Sequence, residues 1–77
     1  MSAYTNYYLE IKDKGVPTEY PHRNNAGKII ECLFPDALDL AHTIIDCKDN
    51  VEYVTLRKVI DGKRMYRLFG KGGLQKC

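Results

Sequence analysis

The sequence predicts a small α+β domain in the order β-β-α-β-β, with one helix packed on one face of an antiparallel sheet. Three observations predict this class. An N-terminal stretch alternates apolar and polar residues, a central stretch has apolar residues at helical spacing, and a C-terminal stretch has the pattern of a hairpin. Because the chain has 77 residues, we expect a single domain, with residues 70–77 as a flexible tail.

The first strand is predicted over residues 4–12. Tyr7, Leu9 and Ile11 alternate with more polar neighbours, so these three side chains are expected to face the core. Residues 13–27 contain two prolines and two glycines. Proline fixes its own backbone angle and restricts the residue before it, so no long element is expected in this stretch, which forms the longest loop.

Residues 28–34 fit two interpretations. Ile29, Ile30 and Leu33 have helical spacing. The short length, the β-branched pair and the boundaries at Gly27 and Pro35 are instead typical of a strand. We choose the strand, which then supplies the second β-element of the predicted order.

The helix is predicted from Pro35 to about Lys48. Proline is tolerated in a first turn, and Asp36 and Asp39 place negative charge near the positive end of the helix dipole. We expect the helix to end at residues 48–50, with Asn50 in a left-handed cap. The core-facing arc contains Ala37, Leu38, Leu40, Ala41, Ile44, Ile45 and Cys47.

The last two strands are predicted as a hairpin over residues 51–69, around Asp61-Gly62, in one of two registers. A two-residue turn places Leu56 opposite Arg67, whereas a three-residue loop with a left-handed Gly62 pairs Val59 with Lys63. We choose the second register, because it collects the apolar side chains on one face. That face contains Val54, Leu56, Tyr66 and Leu68.

The net charge of +2 is unevenly distributed. Residues 1–50 carry −3 and residues 51–77 carry +5. A basic hairpin face with interleaved aromatics has three interpretations: a solvated face that protects the hairpin, a surface for a protein partner, or a surface that binds nucleic acid. As partner-binding residues on this face we predict Tyr53, Arg57, Lys58, Lys63, Arg64, Arg67 and Phe69.

The outer face of the predicted helix is acidic, and Asp36, Asp39 and Asp46 form a secondary candidate for partner binding. Asp39, His42 and Asp46 also share one stripe of the helix, but no further His or Cys accompanies them. His22 in the long loop has no nucleophile or acid beside it. We therefore predict no metal, no cofactor and no catalytic residue, so the chain is not expected to be an enzyme.

The cysteines predict a reducing compartment. Cys32, Cys47 and Cys77 are odd in number and widely spaced, which excludes a disulfide framework. Cys32 and Cys47 are expected to be buried among apolar residues. The sequence has neither a signal-peptide pattern nor an apolar run of membrane-spanning length, and a cytoplasmic location is expected.

Three segments resemble small proteins encoded by phages and mobile elements, including anti-CRISPR proteins. They are the strand Tyr7-Tyr8-Leu9-Glu10-Ile11, the passage Phe34-Pro35-Asp36-Ala37-Leu38-Asp39-Leu40-Ala41, and the hairpin with its Asp61-Gly62-Lys63 turn. The resemblance is one of architecture. It implies a non-catalytic inhibitor that binds a larger host protein or nucleoprotein complex.

Other partners are also consistent with the sequence. A small nucleic-acid-binding module that uses the basic hairpin is the alternative function. A thin sheet with exposed edges also allows a homodimer. No membrane partner is expected.

Overall fold

A computed structural model describes residues 5–70 and confirms the α+β class. Its elements are β1 (Tyr7–Asp13), β2 (Glu19–Pro21), α1 (Phe34–Cys47), β3 (Val51–Lys58) and β4 (Arg64–Phe69). The strands form one antiparallel sheet in the order β2-β1-β3-β4. The helix packs on one face, so the molecule has two layers.

The core lies between α1 and the two central strands. Leu9 and Ile11 of β1 are buried as predicted, while Tyr7 packs at their margin. Ala37 and Ala41 are one helical turn apart and fully buried, so their small side chains allow the helix backbone to approach the sheet closely. The remaining buried apolar residues are Ile44, Val51, Val54 and Leu56.

The second strand is not where the sequence analysis placed it. β2 is only three residues long and lies in the stretch that was expected to be a loop. Residues 28–34 are neither strand nor helix over most of their length and make two isolated bridges, Tyr7 with Cys32 and Arg23 with Ile29. The strand prediction was wrong because the segment pairs with its neighbours at single positions rather than along a ladder, and Ile29 and Leu33 are each 39% exposed.

The helix begins at Phe34, one residue earlier than predicted, with Asp36 in its first turn. Two predictions at its end were wrong. Cys47 is exposed because it is the final helical residue and lies beyond Ile44, the last buried residue of the helix. Asn50 does not adopt a left-handed conformation, because its carbonyl accepts a bond from the Lys14 N–H at 2.8 Å and continues the β1–β3 pairing.

The hairpin has the chosen register over most of its length, from Tyr53 opposite Phe69 to Leu56 opposite Tyr66. Gly62 is left-handed, with φ of 73°, as predicted. The pairing of Val59 with Lys63 was wrong. A bulge shifts the register after Leu56, and the Val59 N–H instead bonds to the Asn6 carbonyl at 2.9 Å.

Gly70 extends the hairpin. It is buried, and its N–H donates to the Glu52 carbonyl at 2.9 Å. A Cβ at this position would collide with the backbone carbonyl of Val51. The close approach of these two backbone segments therefore requires glycine. The rest of the predicted tail, residues 71–77, lies outside the described residues.

Candidate functional site

The sheet face opposite α1, which we name the open face, carries mostly polar side chains. Period-two alternation places these residues on the side of the strands away from Leu9 and Leu56. Strands β2, β1, β3 and β4 all contribute to it. Its residues include Tyr8, Glu10, Lys12, Glu19, Tyr53, Thr55, Arg57, Arg67 and Phe69.

Arg57 lies at the centre of the open face, and its charge is already compensated. Its Nε lies 3.2 Å from Oε1 of Glu10, and its Nη2 lies 3.8 Å from Oε1 of Glu19. Its Nη1 also donates to the Gly62 carbonyl at 2.9 Å. Because β1 lies between β2 and β3, both carboxylates reach one guanidinium. Arg57 therefore stabilises the domain, and little of its positive charge is left for a partner.

Arg67 is also engaged within the open face. Its Nε donates to Oγ1 of Thr55 at 3.2 Å, and its guanidinium carbon lies 4.0 Å from the ring centroid of Tyr53. Tyr53 packs edge-on against Phe69, with ring centroids 6.0 Å apart. Thr55 beneath these side chains has no exposed surface. Within residues 5–70, the side chains of the open face thus cover the strands without a second layer of secondary structure.

The two carboxylates of the open face have different proton affinities. The Tyr53 hydroxyl donates to Oε2 of Glu19 at 2.7 Å, and this bond lowers the pKa of Glu19. Burial, followed by hydrogen bonding with Glu19, raises the pKa of Glu10 despite the nearby Arg57. As pH falls, Glu10 is therefore protonated before Glu19, and Glu19 keeps its negative charge to lower pH.

A separate polar chain ties the end of the helix to the sheet. Lys48 Nζ donates to the Tyr20 hydroxyl at 2.8 Å, and that hydroxyl donates to Oδ2 of Asp13 at 3.1 Å. The bond with Tyr20 raises the pKa of Lys48. Burial, with a smaller effect of the Lys48 charge, lowers the pKa of His22. These groups connect β1, β2 and the end of α1. The charge of Lys48, a member of this polar chain, is the smaller of the two causes of the lowered pKa of His22.

The end of the hairpin carries positive charge that is not compensated. Lys58, Lys63 and Arg64 make no ion pair with any residue in 5–70. Lys63 and Arg64 are exposed at the turn, where Asp61 is the nearest acidic residue along the chain. We name these three cations the hairpin end. Here, unlike at Arg57, positive charge remains available to a partner.

Strand β4 exposes large apolar side chains beside the hairpin end. Met65 is 48% exposed, Tyr66 47% and Phe69 53%. An open groove of about 360 Å³ runs along the strand. Its lining residues are Arg64, Met65, Tyr66 and Arg67.

The predicted basic and aromatic residues therefore fall into two groups. Tyr53, Arg57, Arg67 and Phe69 belong to the open face, whereas Lys58, Lys63 and Arg64 form the hairpin end. The exposure of Tyr66 was not predicted, because the hairpin register assigned this side chain to the apolar face. No local pattern could reveal it, because it depends on β4 being the outer strand of the sheet.

The acidic helix face is exposed as a surface. Asp36, Asp39 and Asp46 are all exposed, as is His42. Within residues 5–70, no three His, Cys, Asp or Glu side chains come together in a way that could hold a metal ion. This surface stays a prediction for partner binding.

Two general results bear on function. Over the described part of the chain, no helix has the length and apolar character needed to span a membrane. Comparison of the chain with protein-family models, with curated proteins and with solved structures finds no match.

Proposed function

We propose that the chain is a non-catalytic binding protein that acts in the cytoplasm and contacts its partner through β4 and the hairpin end. One observation carries the proposal: three large apolar side chains are exposed on β4, next to cations that make no ion pair within residues 5–70. Aromatic residues, methionine and arginine are enriched at protein interfaces, and β4 provides all three. The small size of the domain also favours a surface over an enclosed catalytic cleft.

The partner that we propose is a larger host protein or nucleoprotein complex, one of whose surfaces is occluded when the chain binds. A phage-encoded inhibitor of the anti-CRISPR type is the specific form of this proposal. Its support is the resemblance in architecture, together with the basic hairpin end, which suits an acidic surface. Flanking phage or defence genes would support this form, and their absence would count against it.

The test is capture of a partner from the native host with the tagged chain as bait. We expect the partner to be lost with the double variant Lys63→Glu/Arg64→Glu, because it reverses the charge of the hairpin end. The matched control, Lys14→Glu/Lys28→Glu, reverses the charge of two exposed lysines away from β4 and should retain the partner. Circular dichroism verifies that each bait is folded. A folded bait that captures nothing would refute the proposal.

Nucleic-acid binding is the second candidate, favoured by the cations of the hairpin end and the exposed rings of Tyr66 and Phe69. Labelled single-stranded oligonucleotides test it by fluorescence anisotropy at several salt concentrations. Three phosphate contacts should give a slope of about −2 in log K against log salt. Absence of binding at low salt would reject this candidate.

A further inference from the structure

We propose that the free edge of β4 accepts an extended acidic segment of the partner, which adds to the sheet as a fifth strand. The inference rests on the proposed function, because it specifies how the β4 surface engages a partner. Strand addition combines backbone hydrogen bonds along an open edge with side-chain contacts on both faces of the sheet. The features of β4 described below meet both conditions.

The backbone of β4 offers hydrogen-bonding groups at the edge. The bond from the Gly70 N–H to the Glu52 carbonyl marks Glu52 and Gly70 as a hydrogen-bonded pair of the ladder. Because such pairs alternate along an antiparallel ladder, Arg67 and Phe69 occupy the intervening positions. Their N–H and C=O groups therefore point away from β3, and they make no backbone bond outside the sheet with any residue in 5–70.

The two outer strands of the sheet differ in how well their edges are protected. β2 has three residues, ends at Pro21, and leads into the bridged turn that joins Arg23 to Ile29. A short strand that contains proline is a poor template for further pairing. β4 has six residues and contains no proline or glycine. A fifth strand is therefore expected at β4 rather than at β2.

The side chains of β4 can contact an added strand on both of its faces. Phe69 lies on the open face, whereas Tyr66 lies on the helix side, with its ring centroid 6.3 Å from that of Phe34. Successive side chains of an added strand point alternately to the two faces. Apolar residues of the segment would thus cover exposed rings that the helix leaves open.

The charges of β4 select an acidic occupant. Lys63, Arg64 and Arg67 lie along this edge, and no acidic residue occurs between positions 63 and 70. A second copy of the chain would bring the same cations against this edge, and like charges on paired strands are destabilising. A segment that carries Asp or Glu between apolar residues would instead place its carboxylates beside these cations.

The experiment is selection from a displayed library of random ten-residue segments against the full-length chain. We expect the enriched segments to alternate acidic with apolar residues. An enriched segment, made as a synthetic peptide, should slow amide hydrogen exchange at Arg67 and Phe69. Sedimentation at increasing chain concentration tests for a second copy at the same edge. Self-association, enrichment without acidic residues or no enrichment would overturn the proposal.

Two variants at position 69 separate the contribution of the backbone N–H to peptide binding from the contribution of the side chain. Phe69→Ala removes the ring and keeps the outward N–H, whereas Phe69→Pro removes both, at a position where proline leaves the β3–β4 ladder bonds intact. We expect the peptide to bind Phe69→Pro about tenfold more weakly than Phe69→Ala. Equal binding would overturn the proposal, provided that thermal unfolding shows both variants to be folded.

If the proline variant fails to fold, hydrogen exchange on the unmodified chain decides the question. Protection by the peptide must then include Arg67 and Phe69, and protection confined to other amides overturns the inference. The capture experiment keeps the two proposals distinguishable. A partner that depends on Lys63 and Arg64, but that Phe69→Ala and Phe69→Pro capture equally, supports the proposed function and refutes strand addition.

Discussion

The two faces of the sheet are shielded from solvent by different kinds of side chain. Leu56 and Thr55 are neighbours on β3, point to opposite faces, and both have no exposed surface. Leu56 is covered by the helix and held by apolar packing, whereas Thr55 is covered by Arg67 and the surrounding side chains of the open face. A small domain can therefore shield a second sheet face with long polar side chains, although each of them must find a hydrogen-bond partner.

The largest expected effect is on the helix side. Leu56→Ala should lower the free energy of unfolding by about 2–5 kcal/mol, because it loses buried surface and leaves a cavity. Urea denaturation followed by circular dichroism measures the loss. Ile60→Ala is the control, since Ile60 is 81% exposed and its truncation should change stability by less than about 0.5 kcal/mol. Equal losses in the two variants would contradict the assignment of the core.

Removal of Arg57 is the strongest perturbation expected on the open face. Arg57→Ala leaves Glu10 and Glu19 beside each other without their shared cation, so we expect a loss of about 1–3 kcal/mol. The same denaturation experiment measures it, with Lys63→Ala as a control that removes a cation without a carboxylate partner in residues 5–70. A loss for Lys63→Ala as large as that for Arg57→Ala would show that net charge, rather than this contact, matters.

A smaller effect is expected at Thr55. Thr55→Val keeps the shape of the side chain and removes the oxygen that accepts the Arg67 hydrogen bond. We expect a loss of about 1 kcal/mol, because half-buried Arg67 can bind water in its place. Arg67→Met in both backgrounds completes a double-mutant cycle. A coupling free energy of zero would mean that the covering layer does not depend on this bond.

The smallest effects concern pH, and the two carboxylates should respond with opposite signs. The lowered pKa of Glu19 gives stability that is present above the ordinary glutamate pKa and is lost as pH falls through the lowered value. The raised pKa of Glu10 disfavours the folded state at neutral pH, and this cost is relieved as pH falls through the raised value.

The measurement is urea denaturation of both variants between pH 7 and pH 3. Relative to the original chain, Glu19→Gln should be less stable at pH 7, with a difference that shrinks under acid. Relative to the original chain, Glu10→Gln should become less stable as pH falls. Changes of the same sign in both comparisons would contradict the different proton affinities of the two groups.

Local patterns predicted the elements that bury a continuous apolar face. The alternation around Leu9 located β1, and the cluster of Val54, Leu56 and Leu68 selected the hairpin register. β2 escaped prediction because its three residues, of which Tyr20 packs against the core, are too few to show an alternating pattern and are held by backbone pairing with β1. The helix end was misjudged because Asn50 is held by a backbone bond from distant Lys14.

The sequence predicted which residues the candidate site contains, but it did not predict how they are arranged in space. Seven basic and aromatic residues were correctly assigned to the hairpin, yet their roles depend on the order of the strands. Glu10 and Glu19 reach Arg57 only because β1 separates β2 from β3. The exposure of Tyr66 likewise follows from the position of β4 at the edge, which no single stretch of sequence encodes.

The central position of β1 has a consequence for synthesis of the chain. β1 is made before its main partner β3, in which Lys58 pairs with Tyr7. Closing so large a loop is slow, and among the strands in residues 5–70 β1 has only the three-residue β2 as a partner until then. Leu9 and Ile11 therefore remain without their β3 partners until β3 has been made, and during that interval association with other nascent chains competes with folding.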